Sequence, residues 1–494
     1  MSQVWNRWKL LLLKNGAKGD ILRCMNRPNL LLITTDQQRH DALGINGNRH
    51  LQTPVLDNLA ATGVNFSRAY VTCPSCIAAR RTILTGQAPA THGLVGYKEG
   101  QEFFPKFTLP SLLSDAGYQT QLIGKLHQYP QRKRYGFDHM IMSVNPIDRP
   151  DTIWTNQNDY IDWLKQMGIR SSAQTHGLNS NSHLARPFHL DEEYHHTTWL
   201  TNEAIDFMTR KRDPSCPFFL HLSYWAPHPP FIPPQVYYDR YAANKELRPR
   251  IGKWTKGGEP PIGLPSNAQR GPFSPEVVQN AMAGYYGLIN HVDDQIQRLL
   301  EAYYVFGGTR DKDPLWIIFT SDHGEMLGDH HMFHKSVGYE SSAHIPFFIT
   351  GRNVPVPKFS SDAMVCLEDL LPTFLDLAGV PVPDGIDGKS LKPIIMKESQ
   401  HVRDEIHGEH SGVDNHFLVH GRYKYMWFAK TNEEQLFDLQ SDPHEMNDIS
   451  GNMEVLAEMR RRLAARLKSR TDYTYDVSKL KPLCNAVPKA LWNH

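Results

Sequence analysis

Cys76 and Arg80 are the first residues in this chain whose types and spacing could do chemistry. A helix beginning at about residue 77 would set the thiol at its N-terminus, where unpaired N–H groups and the helix dipole favour an anion. Arg80 would lie on the same face, one turn on. One short segment would then carry a nucleophile, a cation and an anion site. Gly86 tolerates the left-handed conformation that ends such a helix. A buried structural cysteine on an amphipathic helix is the plainer alternative, and this pattern alone does not exclude it. The next candidates are carboxylates. Asp36 follows the apolar run 30–35, and Asp322 follows the run 315–320 after Ser321. Such runs read as buried parallel strands, and α/β sheets bind ligands at the carboxyl ends of parallel strands. Two aspartates, with Gln37 and His323 beside them, could hold a hard divalent cation around Cys76. Each aspartate could equally cap the helix that follows it.

The segment from Cys76 to Arg80, closed by Thr85 and Gly86, resembles the signature of the sulfatase family: Cys (or Ser)-x-Pro (or Ala)-x-Arg, then Thr-Gly. Cys73 is not a rival, because Ile77 stands where its arginine should be. The Cys73/Cys76 spacing also fits a redox pair, but no thioredoxin-like βαβ context surrounds it. Gly124-Lys125-Leu126-His127 is similar to the family's Gly-Lys-x-His, and Pro227-His228-Pro229-Pro230 to its Pro-His-x-Pro. With the Asp36 and Asp322 stretches and Lys335, the likeness runs from about residue 28 to 467, nearly the whole chain. It implies that Cys76 is oxidised to formylglycine by a maturase and that its hydrated aldehyde is the nucleophile. It implies that Lys125, His127 and Lys335 contact the sulfate, that Arg80, Lys125 and Lys335 neutralise charge on the transferring group, and that His228 touches it or, like His127, assists the leaving oxygen, a task suited to an imidazole. One divalent metal would be held by Asp36, Gln37, Asp322, His323 and position 76. Calcium is the first expectation, with manganese or magnesium open because Gln37 lowers the site's negative charge by one.

Two departures stand out. Ala78 occupies the place where proline is commoner, and Asp36-Gln37 with Asp322-His323 resembles the pairing in phosphonate monoester hydrolases. The resemblance therefore implies a hydrolase of sulfate esters acting on a small anionic substrate. Phosphonate monoester or phosphodiester hydrolysis at the same site is the alternative. A binding protein in which Cys76 is never oxidised is a third reading from a different class.

The elements that must position these residues are legible in outline. Besides the two strands above, 119–123, 217–223 and 345–350 read as strands, and 109–118 and 367–377 as helices. A long amphipathic helix is expected from 275 to 304, with Ala281, Tyr285, Leu288, Val292, Ile296 and Leu299 on one face. From about 396 the pattern turns to short alternating strands, including 417–420 and 423–428, with a charged helix near 453–468. The expected fold is α/β, an alkaline-phosphatase-like mixed sheet sandwiched by helices, with a smaller C-terminal α+β domain carrying an antiparallel sheet. Its units are an extension at 1–25, a catalytic domain at 26–395 and the C-terminal domain at 396–494. The polar stretches near 140–195 and 244–275 read as loops that shape substrate choice. His330, His331 and His334 read as structural or supporting residues rather than a zinc site. Arg132, Lys133 and Arg134 could extend a positive funnel but fit a solvated loop better.

Length and charge bound the function. A chain of 494 residues, 40% hydrophobic, can bury a large core. Its 53 Lys and Arg nearly balance 52 Asp and Glu, so no field favours nucleic acid or an anionic membrane as partner. Six scattered cysteines do not suggest a disulfide framework. The four leucines at 10–13, flanked by Lys9 and Lys14, are too few for a signal segment or a bilayer span, and a cytoplasmic protein is expected.

Overall fold

The computed structural model describes residues 27–144, 158–169, 177–255, 273–307, 313–411, 414–468, 470, 475–476 and 478–482. The expected extension at 1–25, and the centres of the two long polar stretches, lie outside the described residues.

The chain folds around β1 (Asn29–Asp36), every residue of which is buried. Its side chains alternate between two cores. Leu31 and Ile33 join one cluster, Leu30 and Leu32 the other. That two-sided burial is why the run is continuously apolar and not alternating. Full burial is worth roughly 1.5–3 kcal/mol per such side chain relative to exposure. The strands β2 (Val64–Tyr70), β3 (Gln119–Gly124), β4 (His139–Met142), β5 (Phe218–Pro227), β6 (Leu315–Ser321), β7 (Phe347–Arg352) and β8 (Phe359–Cys366) complete one sheet in the order β4-β3-β5-β1-β6-β7-β2-β8. Strand β7 is antiparallel to both neighbours, and every other pairing is parallel. The sheet is therefore mixed.

Helices cover both faces. Helices α1 (Pro54–Ala61), α3 (His196–Asp206) and α4 (Pro275–Ala302) pack residues such as Leu56, Trp199 and Ile289 into the first core. Helices α2 (Cys76–Thr85) and α5 (Leu370–Ala378) pack Ile83 and Phe374 into the second. A second sheet, β9 (Glu405–His410), β10 (Asn415–His420), β11 (Tyr423–Phe428) and β12 (Glu433–Asp438), is antiparallel throughout. Its period of two divides its side chains cleanly. Leu418, Tyr425 and Trp427 pack under α6 (Met453–Leu467), while Phe417, Val419 and Met426 pack on Met326, Val337 and Tyr339 of the main domain.

The fold class is the one expected, with local differences. The helix expected at 367–377 opens with a 3-10 turn, Leu367–Asp369, before α5, and the strand expected at 345–350 runs Phe347–Arg352. Strands β2 and β8 were not legible, because Ser67, Arg68, Ser360 and Asp362 interrupt their apolar patterns. Tertiary pairing overrides that weak local signal. Among the described residues no helix is long and apolar enough to cross a membrane.

One buried ion cluster ties the second sheet to the main domain. Lys424 Nζ on β11 lies 2.8 Å from Glu340 Oε1 and 2.9 Å from Glu445 Oε1, with the lysine side chain fully buried. Burial, aided by Glu340 and opposed by Lys424, pushes the Glu445 carboxyl up to about 7. Ionising Glu445 therefore costs stability as pH rises from the ordinary carboxylate range through 7. Lys424→Met leaves that charge unpaired and should cost about 3–5 kcal/mol in denaturant unfolding. The loss should be larger at pH 8 than at pH 6, where Glu445 takes a proton. An equal loss at both would show that Glu445 is not the partner that matters.

Candidate active site

The site is assembled at the carboxyl edge of the main sheet. Strand β1 delivers Asp36 and β6 delivers Asp322, and the two strands pair in parallel up to Thr35 and Ser321. The Asp322 N–H donates to Thr35 O at 3.2 Å, which locks the two strand ends together. Close packing there requires glycine. A Cβ on Gly324 would stand 2.1 Å from Ser341 O.

Cys76 opens helix α2 at its N-terminus, and Gly86 closes it in the left-handed conformation at φ +66°. The cap residue Ser75 makes no side-chain cap; its hydroxyl donates to Gly96 O at 3.1 Å. The first-turn N–H groups are thus left to whatever anion the site holds. The thiol Sγ lies 3.0 Å from His323 Nε2 and 3.9 Å from Asp36 Oδ1. Burial and Asp36 oppose its ionisation, but Lys125, Lys335 and His323 together hold the Cys76 thiol below its ordinary range. Cys73 differs. Packed against Ile77, Ala78 and Leu94, it is pushed well up by burial and by Glu409. Of the two cysteines, Cys76 is the one set up to ionise.

Arg80 binds both carboxylates at once. Its Nε donates to Asp322 Oδ2 at 2.9 Å and its Nη2 to Asp36 Oδ2 at 3.1 Å, while Nη1 donates to Lys125 O at 2.7 Å and Ser223 Oγ at 2.8 Å. The Lys125 ammonium also donates to Asp36 Oδ2 and lies 4.3 Å from the centroid of the Trp225 ring. Against burial, Lys125, His228, Arg80 and His323 hold Asp36 well below the usual carboxylate range. Both aspartates are therefore paired with Arg80, and neither serves merely as a helix cap.

Among the described residues, one group of acid, imidazole and thiol donors lies close enough to share an ion. Asp36, Cys76, Asp322 and His323 offer atoms all within 4.8 Å of one another, and all four residues are buried. Two carboxylates and an imidazole suit a divalent cation, and oxygen in place of sulfur at position 76 would make the set harder. The residues thus fit the expected metal. Gln37 is placed beside this group with its carboxamide engaged elsewhere: Lys335 Nζ donates to Oε1 at 2.7 Å, and Nε2 donates to Glu325 Oε2.

Lys335 is brought to the site from the loop after β6, and its Nζ stands 3.3 Å from His228 Nε2. His228 Nδ1 faces Pro229 O at 2.7 Å, so Nδ1 carries the hydrogen and Nε2 presents a lone pair to the ammonium. Burial and then Lys335 keep His228 well below the usual imidazole range, as burial and Lys125 do for His127. His127, buried in a left-handed conformation at φ +56°, sits with its ring 6.2 Å edge-on from Tyr97. Other residues serve neighbouring structure. Arg132 pairs with Asp159 at 2.7 Å, and His330 packs its ring 4.8 Å from Trp254. Ser223, Trp225, Tyr285 and Glu325 were not read as site residues in the sequence, where Tyr285 stood only on the apolar face of the expected long helix. Ser223 lies on β5, whose carboxyl end joins the same sheet edge, and that rule could have found it. Tyr285 carries only the signal of a core helix position, and Glu325 carries none of its own.

A hydrolase of charged esters, supplied with cations for the transferred group and donors for a metal, is the class that this sheet edge defines. The sulfatase family model matches residues 28–380, and the model for the C-terminal part of N-sulphoglucosamine sulphohydrolase matches 328–472. Arylsulfatase of Clostridium perfringens is 40% identical over 471 residues, covering 92% of this chain and 97% of that protein. Choline-sulfatase of Rhizobium meliloti is 28% identical over 443 residues, covering 86% of this chain and 83% of its own length. Among solved structures, the phosphonate monoester hydrolase of Agrobacterium radiobacter superposes with a TM-score of 0.69 at 26% identity, over 90% of this chain and 95% of that one. The chain belongs to the sulfatase family and is a sulfuric ester hydrolase.

The donor set makes a direct prediction. Asp36→Asn and Asp322→Asn, which keep the shape and remove a charge, should each abolish divalent-ion binding measured by equilibrium dialysis. Each should lower kcat/KM at least about a hundredfold, the scale of losing one preorganised electrostatic group. A variant that keeps both its ion and its rate removes that aspartate from the set.

Proposed function

We propose that this enzyme hydrolyses sulfate esters, aryl esters among them, at a nucleophile made from Cys76 by a formylglycine-generating maturase. The observation that carries the reading is the seating of Cys76 at an uncapped helix N-terminus, beside Asp36, Asp322 and His323, with Lys125 and Lys335 favouring its ionisation. Formylglycine would supply a hydrated aldehyde as nucleophile, and Asp36, Asp322 and His323 would hold a divalent ion, which would supply neutralising charge.

The chain's own residues do the rest. Lys125 and Lys335 are buried ammonium groups at the site and take the terminal sulfate oxygens, where charge accumulates in the transition state. Arg80 gives four of its five N–H groups to Asp322, Asp36, Lys125 O and Ser223, which leaves one for the transferred group. It holds the carboxylates in place. His228 accepts from Lys335, so Lys335 is the group whose N–H faces the ester, with His228 setting its direction. The reading that puts His228 forward as the acid in this state lacks a proton on Nε2.

Phosphonate monoester or phosphodiester hydrolysis is the second reading. It is favoured by the neutral carboxamide of Gln37 beside Asp36 and by the likeness to the Agrobacterium radiobacter enzyme. A ranking of kcat/KM across matched aryl sulfate, phosphonate monoester, phosphate monoester and phosphodiester tests the two. Sulfate should lead, and the phosphate monoester dianion should be poorest. A phosphonate or diester ahead of sulfate by about a hundredfold, roughly 2.7 kcal/mol, would install the second reading. In protein from its native host the peptide carrying Cys76 should be lighter than the thiol form and react with carbonyl reagents. An unmodified thiol without turnover would mean an anion-binding protein.

A further inference from the structure

We propose that Tyr97 is a specificity-determining residue for the organic part of the substrate, its ring forming the platform against which an aryl leaving group lies. The inference deepens the reading of this site as a sulfate ester hydrolase and rests on it.

The groups assigned to the nucleophile and the sulfate are sunk in the protein. Cys76, Lys125, His127, His228 and Lys335 are each 6% exposed or less. The anionic end of an ester is the end those cations attract, so its organic end points away from them, toward solvent. Among the described residues, three of the large apolar side chains left exposed are aromatic: Tyr97, Phe104 and Phe306. Phe104 lies under the Lys133 ammonium, 3.9 Å from its ring centroid. Phe306 follows Tyr303, whose hydroxyl meets Asn29 at the amino end of β1, the edge opposite the site. Tyr97 is the one whose ring meets a site residue, 6.2 Å edge-on from the His127 imidazole. His127 is one of the two imidazoles read as assisting the leaving oxygen, so a ring against it stands where the leaving group emerges.

The backbone before Tyr97 is held on three consecutive residues. Leu94 is buried against Cys73, Ile77 and Ala78. Val95 O accepts from the Ser411 N–H at 3.2 Å and from the Ser411 hydroxyl. Gly96 O accepts at 3.1 Å from the hydroxyl of Ser75, the residue before Cys76. Tyr97 is therefore placed by ties to the start of helix α2 and to the second sheet. Its hydroxyl donates to Glu99 Oε1, two residues on. With its proton committed there and the residue 39% exposed, what Tyr97 offers a ligand is ring surface.

A tyrosine ring is a rigid apolar surface that pairs with another ring in offset or edge-on geometry, which a short alkyl group cannot match. The preference expected from one such contact with its burial is about tenfold, or 1.4 kcal/mol. The aryl group does not react, so the contact is alike in ground and transition states and belongs in KM rather than kcat.

Two sulfonates test this without turnover. Phenylmethanesulfonate has a methylene in place of the ester oxygen of phenyl sulfate, and ethanesulfonate is the same replacement in methyl sulfate. Their dissociation constants are measured by calorimetry on the full chain from its native host, with kcat and KM for phenyl sulfate and a melting curve for each variant. Tyr97→Ala should weaken phenylmethanesulfonate about tenfold and raise KM for phenyl sulfate similarly, with kcat and the ethanesulfonate constant changed less than about twofold. Tyr97→Phe, which keeps the ring, should stay within about twofold of wild type on both sulfonates. An unchanged phenylmethanesulfonate constant in Tyr97→Ala overturns the proposal. So do equal losses on the two sulfonates, which would make Tyr97 a support of the anion site, and a Tyr97→Phe variant as weak as Tyr97→Ala, which would make the hydroxyl the group that matters. Should Tyr97→Ala not fold, Tyr97→Leu decides: a loss of about threefold or more confined to phenylmethanesulfonate supports the platform, and any smaller or shared loss overturns it. A wild-type protein that binds neither sulfonate overturns it as well. A wild type that shows the sulfonate contrast but hydrolyses no sulfate ester sinks the functional reading and leaves the role of Tyr97 standing.

Discussion

The grip of one guanidinium on two carboxylates is the constraint around which this site is built. Arg80 lies on the helix that carries Cys76, and Asp36 and Asp322 end two neighbouring strands, so the pairings join three elements at one point. Both aspartates are fully buried, and an unpaired buried carboxylate would cost several kcal/mol. Arg80 and Lys125 offset that cost, and they do so with geometry that fixes the thiol within reach of His323 and Asp36. A planar, forked cation is needed for this. Lysine at position 80 could not meet Asp36, Asp322, Ser223 and a carbonyl from one centre.

The second sheet contributes to the site without entering it. Asn415 Oδ1 receives the Gly338 N–H at 2.8 Å, the Tyr339 hydroxyl donates to Gln435 Oε1 at 2.7 Å, and Lys424 binds Glu340. All three hold the segment that follows Lys335. The Glu409 N–H donates to Thr72 O at 2.7 Å and the Ser411 N–H to Val95 O at 3.2 Å, which restrains the chain on either side of helix α2. Loops that carry functional groups are mobile unless tied down. The antiparallel sheet is what ties these down, and its apolar face against Met326, Val337 and Tyr339 provides the buried area for doing so.

Much of the site could be read in the sequence because its parts are local. A buried parallel strand needs a continuous apolar run, and the polar residue after such a run stands at the ligand edge whatever the rest of the chain does. Asp36 and Asp322 were found by that rule, and Lys125 by its likeness to the family's Gly-Lys-x-His motif. The helix at Cys76 showed itself by its spacing and by the glycine that stops it. Strands β2 and β8 escaped because serine, arginine and aspartate break their patterns, and only their partners in the sheet make them strands.

By itself the sequence determined which groups are on offer: a cysteine at a helix N-terminus, carboxylates at strand ends, and cations in the order of the sulfatase pattern. Each of these is set within a few residues, by strand burial, helix spacing or a short motif. Tertiary structure alone decided how those groups are used. It turned the Gln37 carboxamide toward Lys335 and Glu325, spent Arg80 on the two aspartates, and left the His228 Nε2 lone pair facing an ammonium. The physical reason is distance along the chain. Gln37 and Lys335 are 298 positions apart, and Arg80 and Asp322 are 242. A hydrogen bond between such residues exists only once the sheet has brought their strands to one edge, so no local pattern records which donor meets which acceptor.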